Sequence, residues 1–150
     1  MRIALFEPDI PQNTGNILRL GACLGVDIDI IEPTGYIFDD KRFKRSSMDY
    51  INHVKYKRHL DWDTFYSWIR KKNYRLILLT TKSSKKYTDF IFNSNDVLLF
   101  GRESAGVPKI VHDNADEQLT IPMKKEVRSI NVSSAVSIVV GEACRQLGCY

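Results

Sequence analysis

Short apolar runs alternate with amphipathic segments along the chain. Each run is about the length of a buried strand and is rich in Leu, Ile, Val or Phe, a composition typical of strands covered on both faces. Five such strands are predicted, at residues 2–6, 27–31, 75–79, 96–100 and 117–121. Strands separated by helices favour an α/β fold with a mainly parallel sheet flanked by helices.

Between these strands, helical periodicity and helix stop signals predict α-helices. Asn13-Thr14-Gly15 opens a helix whose predicted stop is Gly25, and a last helix over 133–147 stops at Gly148. Further helices are predicted over 61–71, over the short basic segment 39–48, and from Pro108 onward.

Small, glycine, proline and hydroxyl residues follow three of the predicted strands. They occur at 79–82, at 101–108, and at 121–123 running on to 129–134. Loops at the carboxyl ends of neighbouring parallel strands form the ligand crevice of an open α/β sheet. The sequence therefore predicts one ligand pocket built from these loops.

Length and composition narrow the class of protein. The 150 residues, 43% hydrophobic and 27% charged, predict a single domain over 1–150. No apolar stretch is long enough to span a bilayer, and the first residues do not resemble a signal peptide. Three cysteines without metal-ligand spacing predict reduced thiols, a cytoplasmic location and no metal site.

The net charge of +4 is unevenly distributed. Cations and aromatic rings alternate between residues 41 and 59, with Lys41, Arg42, Lys44 and Arg45 at the start of the stretch. Cations bind phosphates and rings stack on unpaired bases, so this pattern suits an RNA surface. A solvated basic face explains it equally well.

Several classes of enzyme lack their signatures here. The chain contains no GxxxxGK[ST], GxGxxG, GxSxG or HExxH motif, which disfavours nucleoside triphosphatases, standard dinucleotide enzymes, serine hydrolases and zinc proteases. The three histidines have no flanking catalytic signature and are predicted to lie on the surface. Asn13 and Arg19 share one predicted helix, where Arg19 could bind a phosphate with its planar guanidinium.

The order and spacing of these motifs resemble those of the SPOUT RNA methyltransferases. Within that class the chain is similar to the small tRNA 2′-O-methyltransferases that act on the wobble nucleotide. The resemblance covers nearly the whole chain. It rests on EPDIPQNTGNILRL (7–20), IEP (31–33), DDKR (39–42), DY (49–50), LTTK (79–82), FGRE (100–103), IPM (121–123), RSINVS (128–133) and RQLG (145–148).

The resemblance implies a C-terminal deep trefoil knot, S-adenosylmethionine as cofactor, and transfer of its methyl group to a ribose 2′-hydroxyl. It implies a cofactor site formed by Leu79, Gly101, Glu103, Ile121, Met123, Ser129 and Ile130. Implied catalytic positions are Arg19, Asn13, Ser129 and Asn131. It also implies a homodimer with composite sites, in which Arg19 serves the partner's pocket. The tRNA anticodon loop is the implied partner, and Lys41, Arg42, Lys44 and Arg45 are the candidate RNA contacts.

Other functions remain open at this point. The chain could bind RNA without transferring a methyl group, or it could methylate the 2′-hydroxyl of another RNA site. A flavodoxin-like or Rossmann-type enzyme is a third alternative, although the dinucleotide fingerprint is missing.

Overall fold

Six parallel strands form the sheet in a computed structural model that describes residues 1–38 and 50–149. The strands are β1 (Arg2–Phe6), β2 (Asp27–Ile31), β3 (Tyr56–His59), β4 (Arg75–Leu79), β5 (Asp96–Phe100) and β6 (Glu117–Leu119). Their order across the sheet is β3-β2-β1-β5-β4-β6. The α-helices of the described residues are α1 (Pro11–Leu24), α2 (Trp62–Lys71), α3 (Lys109–Asn114) and α4 (Val132–Leu147). Short 3₁₀ helices occupy Tyr50–His53 and Tyr87–Asp89.

Helices cover both faces of the sheet. Ile17 of α1 and Val139 of α4 pack in one apolar cluster with Ile3, while Phe65 of α2 packs in a second cluster with Ala4 on the opposite face. Successive residues of a strand point to opposite faces, so a strand buried on both sides is apolar throughout. This arrangement confirms the predicted α/β class.

Glycines end the two longest helices as predicted. Gly25 after α1 and Gly148 after α4 both adopt a φ of 66°, a left-handed conformation that glycine enters without a Cβ penalty. At the start of α2, Asp61 accepts a hydrogen bond from the backbone N–H of Thr64 at 2.7 Å. This bond satisfies a donor that the first turn of a helix leaves without a partner.

Strand β3 carries no strand signal in the sequence and was not predicted, and the prediction that the histidines lie on the surface is wrong for His59. His59 is 2% exposed, and its Nε2 lies 2.8 Å from Oδ1 of the fully buried Asp29. The other Asp29 oxygen accepts a hydrogen bond from Arg2 at 2.7 Å. A buried carboxylate needs such partners, because burial removes its hydration.

The segment that follows β4 surrounds the end of β6. The N–H of Thr80 donates to the carbonyl of Leu119 at 2.9 Å, and on the other side the N–H of Tyr87 donates to the carbonyl of Thr120 at 3.0 Å. Farther along, the Gln146 side chain of α4 donates to the carbonyl of Phe90 at 3.0 Å. The segment that follows β4 therefore contacts both β6 and α4. The trefoil knot itself stays a prediction.

Membrane spans and metal clusters are both absent from the part of the chain that the structure describes. Among those residues, no helix is long and apolar enough to cross a membrane. Across residues 1–38 and 50–149, no group of three or more His, Cys, Asp or Glu side chains is arranged to hold a metal ion.

Candidate functional site

A cavity of about 440 Å³ lies at the carboxyl edge of the sheet. Its walls are the loops that follow β4, β5 and β6, together with the first turns of α1 and α4. This is the edge where the sequence analysis placed a ligand pocket. Every residue predicted to bind the cofactor lines it: Leu79, Gly101, Glu103, Ile121, Met123, Ser129 and Ile130.

The loop after β5, residues 101–108, is called the glycine loop here, and it folds back on itself through hydrogen bonds of its own backbone. The N–H of Arg102 donates to the carbonyl of Gly106 at 3.0 Å, and the reverse bond from Gly106 to Arg102 measures 2.9 Å. Gly101 lies so close to this turn that a Cβ on it would meet the Gly106 carbonyl carbon at 2.7 Å. The loop keeps this tight form only with glycine at position 101.

A chain of side-chain hydrogen bonds joins three separate parts of the sequence beside the cavity. Nδ2 of Asn13 donates to Oε1 of Glu103 at 2.9 Å, and Nδ2 of Asn131 donates to Oδ1 of Asn13 at 3.0 Å. Asn13 is only 5% exposed. The network therefore fixes the start of α1 against the glycine loop and the start of α4, and it brings three predicted site residues together.

Asp9 forms a second connection to the glycine loop, one that the sequence analysis did not assign. Its N–H donates to Oε2 of Glu103 at 3.0 Å, and its carboxylate accepts from the Glu103 N–H at 3.1 Å and from the Ser104 hydroxyl. The hydrogen bonds that Asp9 shares with Glu103 and Ser104 lower the pKa of Asp9 to about 2. Asp9 is therefore ionised near neutral pH, and it holds the loop through charge-assisted bonds.

Asn131 has two functions that substitution can separate. Its Oδ1 accepts from the N–H groups of Ser133 and Ser134 at 2.9 and 3.3 Å and so caps α4, while its Nδ2 binds Asn13. We expect Asn131→Ala to lower the free energy of unfolding by about 1 kcal/mol, the usual cost of losing an N-cap. Asn131→Asp keeps the cap but removes the donor to Asn13.

Chemical denaturation and methyl-transfer assays of both variants distinguish these functions. Near-normal stability with weakened methyl transfer in Asn131→Asp would assign the bond with Asn13 to the site. Full activity in Asn131→Asp would reduce Asn131 to a helix cap.

Arg19 does not join the other predicted catalytic residues. It is exposed on α1, outside the cavity of its own chain, and its guanidinium lies over the ring of Tyr50, 4.8 Å from the ring centroid. Asn13, Ser129 and Asn131, in contrast, all line the cavity. One chain therefore holds three of the four predicted catalytic residues in one place.

The predicted RNA contacts Lys41, Arg42, Lys44 and Arg45, and the predicted helix over 39–48, lie outside the described residues. Three cations of the same basic stretch are described, namely Lys55, Lys57 and Arg58. Lys57 lies 4.3 Å from the centroid of the Trp68 ring, and Arg58 forms an ion pair with Glu32 at 2.7 Å.

Some cavity residues carried no recognisable signal in the sequence. Ile10, His112 and Ala135 line the cavity from the segment before α1, from α3 and from α4, in that order. Ile10 precedes a helix rather than following a strand, so the rule that placed the pocket at strand ends did not include it.

Comparison with known proteins identifies the family. Residues 1–141 match the model of the SpoU rRNA Methylase family. A tRNA (cytidine(34)-2′-O)-methyltransferase from Beijerinckia indica is 51% identical over 97% of this chain and 91% of its own length. A solved structure described as "Structural insights into the 2-OH methylation of C/U34 on tRNA" superposes with a TM-score of 0.92 at 34% identity, covering 99% of this chain and 97% of that one.

A second solved structure bears on the cavity. An AdoMet-bound rRNA methyltransferase from Sinorhizobium meliloti matches with a TM-score of 0.87 at 26% identity, over 97% of this chain and 56% of that chain. The resemblance noted in the sequence motifs is thereby confirmed. The chain belongs to the SpoU rRNA Methylase family.

Proposed function

We propose that the protein transfers the methyl group of S-adenosylmethionine to the ribose 2′-hydroxyl of the tRNA wobble nucleotide, a cytidine or a modified uridine. The observation that carries this proposal is the cavity at the carboxyl edge of the sheet. Every predicted cofactor residue lines it, and so do the hydrogen-bonded residues Asn13, Glu103 and Asn131. The relative from Beijerinckia indica, similar over nearly its full length, bears the name of this activity.

The cavity fits S-adenosylmethionine in size and in chemistry. Its volume of about 440 Å³ lies within the range of ligand pockets, roughly 300 to 1,000 Å³. Leu79, Ile121 and Ile130 supply apolar surface for an adenine ring, and the three strand-end loops bring backbone N–H and C=O groups to the same space. Leu79, Gly101, Glu103, Ile121, Met123, Ser129 and Ile130 would hold the cofactor.

When bound, the cofactor supplies a methyl group on a positively charged sulfur, which passes to the 2′-oxygen as the carbon–sulfur bond breaks and the carbon–oxygen bond forms. The residues of the chain position the ribose against the cofactor and exclude water from the cavity. Asn13 is held at both ends of its amide, by Glu103 and Asn131, so it offers a fixed wall beside the cavity. Such a wall keeps the incoming ribose in one orientation.

The 2′-hydroxyl must also lose a proton. A guanidinium stays protonated in proteins, so Arg19 is unsuited to act as the base. In this proposal Arg19 binds the phosphate of the target nucleotide through paired N–H donors and aligns the hydroxyl. The proton passes to a phosphate oxygen or to a relay of neighbouring groups.

The active form in this proposal is a homodimer with composite sites, which explains why Arg19 lies outside the cavity of its own chain. The exposed side of α4 carries the small residues Ser134 and Ser137 beside Ile138, which is 39% exposed. Small residues permit a second helix to approach closely, and Ile138 adds apolar surface. Sedimentation velocity tests this: a purely monomeric protein at assay concentration contradicts it.

The basic stretch provides the proposed surface for the anticodon loop. Reversing the charge of Lys41, Arg42, Lys44 and Arg45 to Glu should weaken tRNA binding and flatten its dependence on salt, by about 0.7 in the logarithmic slope for each phosphate that is no longer neutralised. Lys109→Glu, at an exposed cation of α3, is the control for added negative charge. Filter binding across a salt series measures both, and an unchanged slope would assign the stretch to a solvated face.

Methyl transfer from labelled S-adenosylmethionine to tRNA pools tests the function directly. Nuclease digestion and mass spectrometry of the product should show a 2′-O-methylated wobble nucleotide. Methylation elsewhere would move the activity to another RNA site, and cofactor binding without transfer would favour an RNA-binding protein. We also propose that residues 1–150 form a single domain. The proposed location is the cytoplasm, where tRNA is modified and thiols stay reduced.

A further inference from the structure

Arg102 has hydrogen-bonding capacity that the described residues of its own chain do not use. It follows Gly101 at the end of β5 and lines the cavity. Its Nη1 donates to Oε2 of Glu7 at 3.0 Å, whereas its Nε is buried and has no hydrogen-bond partner within the described part of the chain. Buried donors in native proteins are almost always paired, so this unpaired Nε is unusual. The Arg102 side chain as a whole is 36% exposed, which leaves it accessible to a ligand in the cavity.

Glu7 holds this guanidinium in place from the neighbouring strand. It directly follows β1, which pairs with β5 in the centre of the sheet, so the ion pair crosses the middle of the carboxyl edge. Glu7 adopts a φ of 43°, which is uncommon for a residue other than glycine. Residues in such conformations concentrate at ligand sites, where the surrounding structure holds them.

Negative charge dominates the surroundings of Arg102. Glu7 is its ion-pair partner, and Asp9 and Glu103 are joined to each other across the same loop. Carboxylates repel an anionic group, so an anion entering this part of the cavity would bind through Arg102 and not through its acidic neighbours. A guanidinium has five N–H donors and no acceptor, and it binds carboxylates and phosphates through paired, parallel hydrogen bonds.

We propose that Arg102 binds an anionic oxygen of a ligand in the cavity, and that Glu7 positions its guanidinium for this contact. Because the inference rests on the proposed function, two ligand groups qualify: the carboxylate at the amino-acid end of the cofactor and a phosphate of the RNA substrate. Both present negatively charged oxygens of the same hydrogen-bonding character.

Binding measurements on Arg102→Met separate these sources. Calorimetry compares S-adenosylhomocysteine with 5′-methylthioadenosine, which has the same nucleoside but no carboxylate, and filter binding measures tRNA. Removing one charge-assisted hydrogen bond should weaken binding roughly 10- to 100-fold. Weakening confined to S-adenosylhomocysteine assigns the cofactor carboxylate, and weakening confined to tRNA assigns the phosphate. Arg102→Lys should recover part of the affinity in either case.

Controls keep the result interpretable. Lys109→Met removes the same charge from the exposed start of α3 and should bind all three ligands normally. Glu7→Gln combined with Arg102→Met removes both charges, so it leaves no unpaired carboxylate to unfold the loop, and it should weaken binding as much as Arg102→Met does.

Two results would count against the inference, and they differ. Unchanged binding of S-adenosylhomocysteine and tRNA by both the single and the double variant would overturn the assignment of Arg102 alone. Failure of the unsubstituted protein to bind either ligand would overturn the proposed function, and this inference with it.

Discussion

Arg19→Ala should reduce methyl transfer by at least about 100-fold, an effect typical of removing a group that orients the reactants. S-adenosylhomocysteine binding should stay within about twofold of normal, because in the proposed mechanism Arg19 binds the phosphate of the RNA and not the cofactor. Single-turnover methylation and calorimetry measure the two effects. Arg70→Ala removes an arginine from α2, on the opposite face of the sheet, and should retain transfer.

Mixed dimers of two inactive variants show which chain of the proposed homodimer supplies Arg19 to a given site. Arg19→Ala and a variant with a defective cavity are each expected to be inactive alone. After exchange of subunits, a mixed dimer with composite sites contains one intact site, so activity should recover to about a quarter of normal. No recovery, with exchange shown by mass spectrometry, would show that Arg19 serves the cavity of its own chain and would contradict the composite site. A fully active Arg19→Ala would remove it from the reaction.

Gly101→Ala should abolish measurable cofactor binding. The added Cβ would lie 2.7 Å from the carbonyl carbon and 2.9 Å from the Cα of Gly106, both backbone atoms that no rotamer change can move. The loop must open, and the paired hydrogen bonds between Arg102 and Gly106 then break. The cause is thus a collision within the loop itself, rather than a collision between the new side chain and the ligand.

Calorimetry with S-adenosylhomocysteine checks this expectation, and circular dichroism checks that the sheet persists. Gly25→Asn is the matched control, because Gly25 has open space around it and Asn tolerates the left-handed conformation. Normal affinity in Gly101→Ala would show that the loop has more freedom than its geometry indicates.

Sequence periodicity was sufficient for five strands of the sheet and insufficient for the sixth. β3 is short and lies at the edge, and Lys57 and Arg58 in its middle are both exposed. The apolar run that marks a central strand is therefore absent, and the basic side chains indicated an RNA surface instead. Its one buried position is His59, whose partner Asp29 lies on a different strand.

The candidate site was likewise predicted only in part: its loops could be predicted from the sequence, whereas its long-range hydrogen bonds could not. Parallel strands end at one edge, so the cofactor loops could be grouped from the sequence alone. The hydrogen bond between Asn13 and Glu103 joins residues 90 positions apart, and the bond that Asn13 accepts from Asn131 joins residues 118 positions apart. Such bonds depend on how loops pack, which periodicity does not specify. Motif resemblance supplied these residues, although not their partners.

The network around Asn13 is complete only when the last part of the described chain has folded. Its members come from the beginning, the middle and the last helix of the described chain. Until α4 packs, the face of the sheet that it covers is exposed, with Leu5 and Leu98 among the apolar residues on it. A nascent chain at that stage has all its strands but no finished site, and it is open to chaperones and to aggregation. The cavity is therefore completed late, when α4 covers that face and Asn131 closes the network.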